Sequence, residues 1–589
     1  MYRHGTPVRI GIFAGSVLAP LGQPAWAQSA NGAAASQADL LPSVPAPSDT
    51  VLPRTGIDPA ASDLREHLLD AYGDPQPARG AGGPALQFTG QFGASEEYTD
   101  NVGLSGGGPG RGSGGDFITA LQPGITVVDT SQRLRVNLTY APIGQIYAEN
   151  SGYSQLEQIG SGGILVTALP GWLYVDVRGS INQQAVFGGL GSAGSVTLAP
   201  DNRETVSSLS ISPYVSRTLG TAGTIEFGAG AIYSATDAPS VSGGPGSVSP
   251  FLAGAYGSSF LMTKRVFANY TTGENYGRLR NNVGTDDNFY DGSGALAGGK
   301  RLLVTDDVSY AATRLITVLG ELGYEDLAYP RSAFFATGPV GAGGLKLTPR
   351  RGSSLTLEYR YIDGFGSVFA QGSMQVSPRI RIFGGYSAGI STLDQDQQTT
   401  LLDGAGAETG AAAAALQAAP LLGGQNDFTS GQTLQRLHRL DVSATFLAPR
   451  DTLTASVQRE TTDPVGRQIG GIAPIGTSGI FASLTGQHEL TPTTSLNAFV
   501  QYGSNRTGLN GNGLNGGGLN GGANRGASND SGETISVSAG VDHSFTDTLI
   551  AYARVGGIYV VGGSAFAAAG YQGLGGSQTT VTVGALKRF

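Results

Sequence analysis

Thr579-Thr580-Val581-Thr582-Val583-Gly584-Ala585-Leu586-Lys587-Arg588-Phe589 ends the chain, and its polarity alternates residue by residue. In an extended backbone successive side chains point to opposite faces, so Val581, Val583, Ala585 and Phe589 share one side. The same period of two recurs upstream. Leu134, Val136, Leu138 and Tyr140 oppose Arg133, Arg135, Asn137 and Thr139, and Leu173, Val175 and Val177 oppose Tyr174, Asp176 and Arg178. Leu355, Leu357, Tyr359 and Tyr361 oppose Thr356, Glu358 and Arg360; Ile535, Val537, Ala539 and Val541 oppose Thr534, Ser536, Ser538 and Asp542. One face of each segment is oily and the other wet.

At the other end Arg3 and Arg9 precede the apolar run 10–21, and Ala25-Trp26-Ala27 follows as a small-x-small cleavage site. Residues 1–27 therefore read as a signal peptide. Residues 28–85, rich in Ala, Pro and Ser, read as a mostly disordered periplasmic arm with one short helical pattern at 62–72. From Leu86 to Phe589 the composition does not shift, which predicts one large domain where the length alone, at about 150 residues per domain, suggests several.

Composition narrows the function classes. There is no Cys, hence no disulfide framework or thiolate metal site. Loss of Arg3 and Arg9 removes two positive charges and no acid, taking the formal charge from −9 to −11 and arguing against a nucleic-acid partner. No segment after residue 27 offers the roughly 18 apolar residues of a transmembrane helix. A chain of this kind spans a bilayer only as a closed barrel, because every backbone polar group must be paired within the wall.

Connection lengths carry the stronger signal. Short turns are predicted at 129–132, 169–171, 219–222, 262–265, 311–314, 349–352, 377–379, 448–451, 491–494 and 545–548. Longer connections are predicted at 99–115, 148–156, 185–202, 236–249, 277–294, 326–336, 362–366, 392–436, 462–476, 506–531 and 562–576. Short periplasmic turns alternating with longer external loops are the signature of an all-β transmembrane antiparallel barrel, here of about 22 strands with a range of about 18 to 24. A soluble sandwich rarely sustains so many strands, and a solenoid requires a fixed repeat that is absent. The Gly-Leu-Asn-Gly repeats at 508–521 stay within one external loop. The expected location is the outer membrane of a Gram-negative bacterium. The expected partners are outer-membrane lipid and the barrel assembly machinery, which Phe589 addresses as the closing aromatic.

Further residues point to a family. Glu97-Tyr98-Thr99-Asp100-Asn101-Val102, the hairpin turns Leu347-Thr348-Pro349-Arg350 and Val376-Ser377-Pro378-Arg379, and the terminal Lys587-Arg588-Phe589 resemble outer-membrane β-barrel porins associated with exopolysaccharide and protein-sorting gene clusters of Gram-negative bacteria. The likeness covers about residues 86–589. It implies a role in polysaccharide passage, with polysaccharide or periplasmic export components as partners, and it implies no catalytic residues.

Arg133, Arg135, Asp176, Arg178, Glu226, Glu358, Arg360, Glu460 and Arg554 fall on the wet face and are the candidates for lining the lumen. On the lipid face an Arg at the bilayer midplane costs about 2–4 kcal/mol, so inward placement is forced. Two readings stay open: a hydrated lumen of mixed charge, or ion pairs that brace the wall. Tyr98, Tyr140, Tyr147, Tyr270, Tyr276, Tyr359, Tyr361 and Tyr502 fit an interfacial girdle better than a sugar-stacking ladder. Lys587 interrupts the last strand's oily side and reads as snorkelling to the headgroups.

The five scattered histidines form no catalytic pattern, so neither an enzyme nor a cofactor is expected. Asp286-Asp287-Asn288 and Asp394-Gln395-Asp396 are placed in external loops, where solvated turn acids are favoured over Ca²⁺ ligands. No metal site is assigned. The stretch 28–85 is too short for a receptor-type plug, so the connection 392–436 is expected to fold inward as a constriction. The reading is an outer-membrane channel passing hydrated solutes, exopolysaccharide export among its roles. Its rival is a non-transporting, surface-anchored structural or adhesive barrel whose external loops do the work.

Overall fold

The computed structural model describes residues 86–102, 114–131, 133–185, 203–237, 258–350, 353–392, 394–395, 398, 401, 434–466, 475–509, 530–561 and 576–589. The expected signal peptide and periplasmic arm lie outside the described residues. The rest is one antiparallel sheet of 24 strand segments. It closes on itself: the first strand, Leu86–Thr99, pairs with the last, Gly576–Arg588, from Gln91 opposite Arg588 to Thr99 opposite Thr580. The Phe589 N–H extends this seam by donating to the Gly90 carbonyl at 2.8 Å.

The 24 segments are 22 strands. Leu134–Tyr140 and Ile143–Tyr147 keep one register against Asp116–Thr130, and that register sets Pro142 opposite Pro123. Neither proline has an N–H, so the ladder skips a step without any change of direction. The same gap carries over to the next strand, which is split into Gln155–Glu157 and Gly160–Leu169.

Ten short turns and eleven longer or infolded connections alternate around the wall, as the sequence predicts, with one local correction. The turn expected at 262–265 lies inside the strand Ser259–Thr272, and the connection expected at 277–294 is largely the strand Leu279–Gly292. The turn between them is 273–278. The misreading has a physical cause. Arg265, Asp286 and Asn288 are polar because they face inward, where Arg265 pairs with Asp286 and Asn288 donates to the same carboxylate. Polar inner-wall residues imitate turn chemistry, and the stretch 286–288, expected as solvated acids of an external loop, is a piece of braced wall.

Side-chain direction follows the alternation. On the strand Ile316–Tyr329 Leu322 points outward, 77% exposed, while Glu321 and Glu325 point inward and are buried. Phe117, Leu121, Ile125, Val266, Val457, Leu484, Val500, Val581 and Val583 continue the exposed apolar outer face around the wall.

The 94 glycines of the chain are explained in part by how large inner side chains lie. They lean sideways onto a glycine of the neighbouring strand. A Cβ on Gly584 would stand 2.5 Å from the Tyr552 ring and 2.7 Å from Ser95 Cβ, and one on Gly228 would stand 2.8 Å from Phe267. Overpacking of this kind costs about 1–3 kcal/mol. The variant Gly584→Leu, at the closing seam, is expected to lower the temperature at which the folded band converts to the unfolded one on a semi-native gel. An unchanged midpoint would count against this packing.

Candidate functional site: a constriction in the lumen

A closed antiparallel wall whose outer face carries an apolar band, with the exposed ion pairs Lys264–Asp291 and Lys300–Asp326 set toward the extracellular ends of their strands, and whose inner face carries buried charges can be satisfied only with hydrocarbon outside. The chain is an outer-membrane β-barrel. What happens inside it is decided by three structures that meet in the extracellular half.

The first is a short hairpin, Ser353–Ile362 and Phe365–Ser377, joined by Asp363 and Gly364. Both turn residues have positive φ, 55° and 77°, the backbone of a tight type I′ connection that Asp-Gly favours. The hairpin is shorter than its neighbours. Its pairing with Phe334–Arg350 stops at Gly341 opposite Tyr361, and its pairing with Ile380–Ser391 stops at Tyr386 opposite Ala370. Beyond these points the tip turns into the barrel. Ile362 packs on Leu303 and Val340, and Asp363 reaches two strands of the inner wall. Arg301 donates from Nε to Glu325 at 2.9 Å and from Nη2 to Asp363 at 3.2 Å, and the Asp363 N–H donates to Glu325 at 2.9 Å.

Two carboxylates therefore share one guanidinium out of reach of water. Burial pushes Asp363 up to about 7, with Arg301 opposing the rise and Glu325 adding to it. The cluster holds a proton that an isolated aspartate would release.

The second structure is the start of the connection after Ser391, whose described residues are Thr392, Asp394, Gln395, Gln398 and Leu401. All five are buried. Asp394 accepts from Ser259 Oγ at 3.1 Å and Thr236 Oγ1 at 3.5 Å, and its backbone carbonyl accepts from Ser234 Oγ at 3.2 Å. Gln398 donates to Leu261 O and Ser234 Oγ, both at 3.1 Å, and to Ile232 O at 3.4 Å, and accepts from Thr263 Oγ1 at 2.7 Å. These partners sit on the strands Gly223–Asp237 and Ser259–Thr272, with six strands between them and Ile380–Ser391.

Three residues of extended chain, Ser391 to Asp394, reach at most about 11 Å. The two walls are therefore pinched together here. The inward folding expected of 392–436 holds for its described beginning, and its Ala-rich part, 408–422, lies outside the described residues. The external loop position expected for Asp394 is corrected: the segment is anchored to the inner wall.

The third structure is the apolar seam that the pinch encloses. Leu261, Tyr290, Leu296, Leu327, Tyr329, Ile390 and Leu434 form one buried cluster, with Phe334, Phe365 and Val465 packed on it. The extracellular half of the eight-strand arc from Ser259 to Ser391 is thus closed around its own core.

The lumen candidates are mostly braced into the wall. Arg178 Nε donates to Asp176 at 2.7 Å, Arg360 Nε to Glu358 at 2.6 Å, Arg439 Nη2 to Glu460 at 3.0 Å and Arg554 Nη2 to Asp542 at 3.3 Å. Glu226 accepts from Ser216 Oγ at 2.7 Å. Arg135 is half-buried, whereas Arg133 lies exposed in the turn before its strand. Phe589, 74% exposed, stands beyond the last strand. Tyr98, Tyr140, Tyr276, Tyr359, Tyr361 and Tyr502 are exposed, Tyr270 is half-buried and Tyr147 is buried. His438, His488 and His543 contact Tyr386, Asp451 and Thr494 respectively.

Sequence reasoning missed Arg265, Asp286, Arg301, Glu325, Asp363, Asp394 and Gln398 as a group. Arg301 and Glu325 were findable as charges between apolar neighbours, but their convergence with Asp363 needs the infolded tip.

No protein-family model matches the sequence, and no curated protein matches it. Among solved structures, the chain is similar to the FrpB iron transporter from Neisseria meningitidis (F5-1 variant) at 10% identity and TM-score 0.47, covering 90% of this chain and 84% of that one. It is similar to the siderophore receptor PirA from Acinetobacter baumannii at 10% identity and TM-score 0.42, covering 85% and 80%. A loop-deletion mutant of OmpT, an outer membrane protein of Vibrio cholerae, is similar at 10% identity and TM-score 0.24, covering 86% and 99%. At these scores the likenesses add nothing to the assignment, which rests on this chain's own wall.

The constriction carries a pH dependence of definite sign. Burial raises Asp394 from its ordinary 3.8 to about 6, partly opposed by the Ser259 and Thr236 hydroxyls. Below the ordinary value the group is neutral whether docked or free. As pH rises through 3.8 the free form ionises first, so docking weakens, and the full penalty, about 3 kcal/mol at about 1.4 kcal/mol per tenfold, is present above about 6. Acidification from pH 7 to 5 is expected to tighten the constriction and lower single-channel conductance. Asp394→Asn should remove the part of that response below pH 6, while Asp363, facing Arg301 and Glu325, contributes a part that extends to about 7. Conductance independent of pH in both proteins would contradict this.

Proposed function

We propose that this chain is a non-enzymatic outer-membrane channel that passes hydrated, largely uncharged solutes, exopolysaccharide among them. The observation that supports it best is the inner wall of the fourteen strands outside the pinched arc. That wall is hydroxyl- and amide-rich, as in Thr462 with Thr477, Ser456 with Ser483, and Gln501, Ser536 and Thr582, and several of its charges are paired side by side. Charges neutralised within a wall leave little net field to select an ion, and hydroxyls replace the hydration of a polyol at low cost. Periplasmic export components are the partners that polysaccharide passage requires, and Phe589 at the exposed seam is the group that the assembly machinery would read.

A second reading, a surface-anchored structural or adhesive barrel, is favoured by one observation: inner-face groups such as Gln145, Glu460 and Thr582 are almost wholly buried. Planar-bilayer recording of the purified chain separates the two. Discrete conductance steps that a neutral polymer such as polyethylene glycol suppresses according to its size are expected for the channel. A folded protein with no steps at any voltage would leave only the anchor.

A further inference from the structure

We propose that the wall has a lateral portal beside the short hairpin, through which an amphiphilic solute passes between lumen and outer leaflet with its polar head inward and its apolar tail outward. Where the hairpin leaves the wall, the strand Phe334–Arg350 continues upward for seven residues, 334–340, and Ile380–Ser391 for five, 387–391, with no hairpin ladder between them. Pro339 stands in the first of these stretches, paired on its other side with Tyr324. A proline has no N–H to offer a neighbour, so at this step a longer hairpin would find one ladder bond fewer, as happens at Pro123 and Pro142.

A cavity occupies this position, and its lining comes from both faces of the sheet. Gly341 and Tyr361 belong to the outer register, which Tyr361 shows by its exposure, and the buried Ala388, two residues before Ile390 of the apolar seam, closes the side toward Ile380–Ser391. Glu321, Arg360, Ser367 and Phe369 belong to the inner register. The space therefore sits within the thickness of the wall, between the two registers. Its inner mouth is charged and hydroxylated; its outer rim carries the exposed Phe335, Tyr359 and Tyr361. That polarity matches a molecule with a polar head and a hydrocarbon tail, and neither a fully hydrated ion nor a pure hydrocarbon satisfies both mouths.

The portal is shut in this conformation. Arg360 lies 3.7 Å over the Phe369 ring while paired to Glu358, Arg436 lies 4.3 Å over Phe365, and Asp363 is held by Arg301. Opening requires the tip to leave these contacts and swing out.

Because the chain has no Cys, a single reporter can be placed without background. Ser367→Cys, labelled with bimane, is reconstituted in the full chain in phosphatidylcholine vesicles and exposed to lysophosphatidylcholine spin-labelled at its headgroup. The expected result is at least twofold quenching at Ser367→Cys and none at a Ser483→Cys control on the remote inner wall. Ala388→Phe, which fills the cavity, should abolish the quenching while heat-modifiable migration and ion conductance persist. Absence of quenching, equal quenching at both reporters, or quenching unaffected by Ala388→Phe overturns the portal. Loss of all conductance in the parent chain with quenching intact would remove the hydrated channel and leave the portal standing.

Discussion

Replacing Arg301 by Met is expected to release the hairpin tip at pH 8 and to return most of it at pH 5. Arg301 is the cation that Glu325 and Asp363 share, and its loss leaves two adjacent carboxylates buried against each other. Removing one partner from such a cluster costs about 3–5 kcal/mol. The wall itself keeps its backbone ladder, so the cost should appear locally, as cleavage by an added protease near 362–366 and as a higher conductance. Lowering the pH protonates the stranded acids and removes the repulsion. The triple variant Arg301→Met, Glu325→Gln, Asp363→Asn should therefore behave like the parent at both values. If Arg301→Met were cleaved equally at pH 5 and pH 8, the effect would be loss of packing and the charge argument would be wrong.

The second large effect concerns Gln398, whose amide is saturated by the two strands it lies on. Leu has nearly its volume and none of its polarity, so Gln398→Leu takes the partner of the Thr263 hydroxyl and a donor from Ser234 Oγ in a dry site. Each unsatisfied buried group costs about 1–3 kcal/mol, enough in sum to undock the segment. The expected result is a severalfold rise in the time-averaged conductance together with loss of the acid-induced decrease described for Asp394. Gln398→Glu should likewise raise the conductance at pH 7, by placing a second carboxylate near Asp394, but acid should reverse that rise; a conductance identical to the parent in both variants would show that the segment does not narrow the path.

How far the sequence reaches can be judged from particular residues. The alternation in the strand holding Leu355 to Tyr361 assigns inner and outer faces correctly because lipid and water impose opposite requirements on neighbouring side chains. The same logic fails over 259–292. There Arg265, Asp286 and Asn288 are strand residues that look like loop residues, since an inner wall carries the polar chemistry that elsewhere marks a turn. The braced pairs Asp176 with Arg178 and Glu358 with Arg360 were legible as inward charges, being two residues apart on one strand. Arg439 with Glu460, and Asp542 with Arg554, need the register between strands before they become pairs.

From its own residues the chain determines that it is an antiparallel wall of about 22 strands, which face points to lipid, and where the hairpin turns, because period-two polarity and Asp363-Gly364 each act within a few residues. Only the tertiary structure decides that the wall is pinched and that Arg301, Glu325 and Asp363 meet. It alone lays Asp394 and Gln398 on strands seven and eight places away around the wall. Those contacts join residues up to about 170 positions apart whose polarity is satisfied by geometry, and no local pattern records a partner across a lumen.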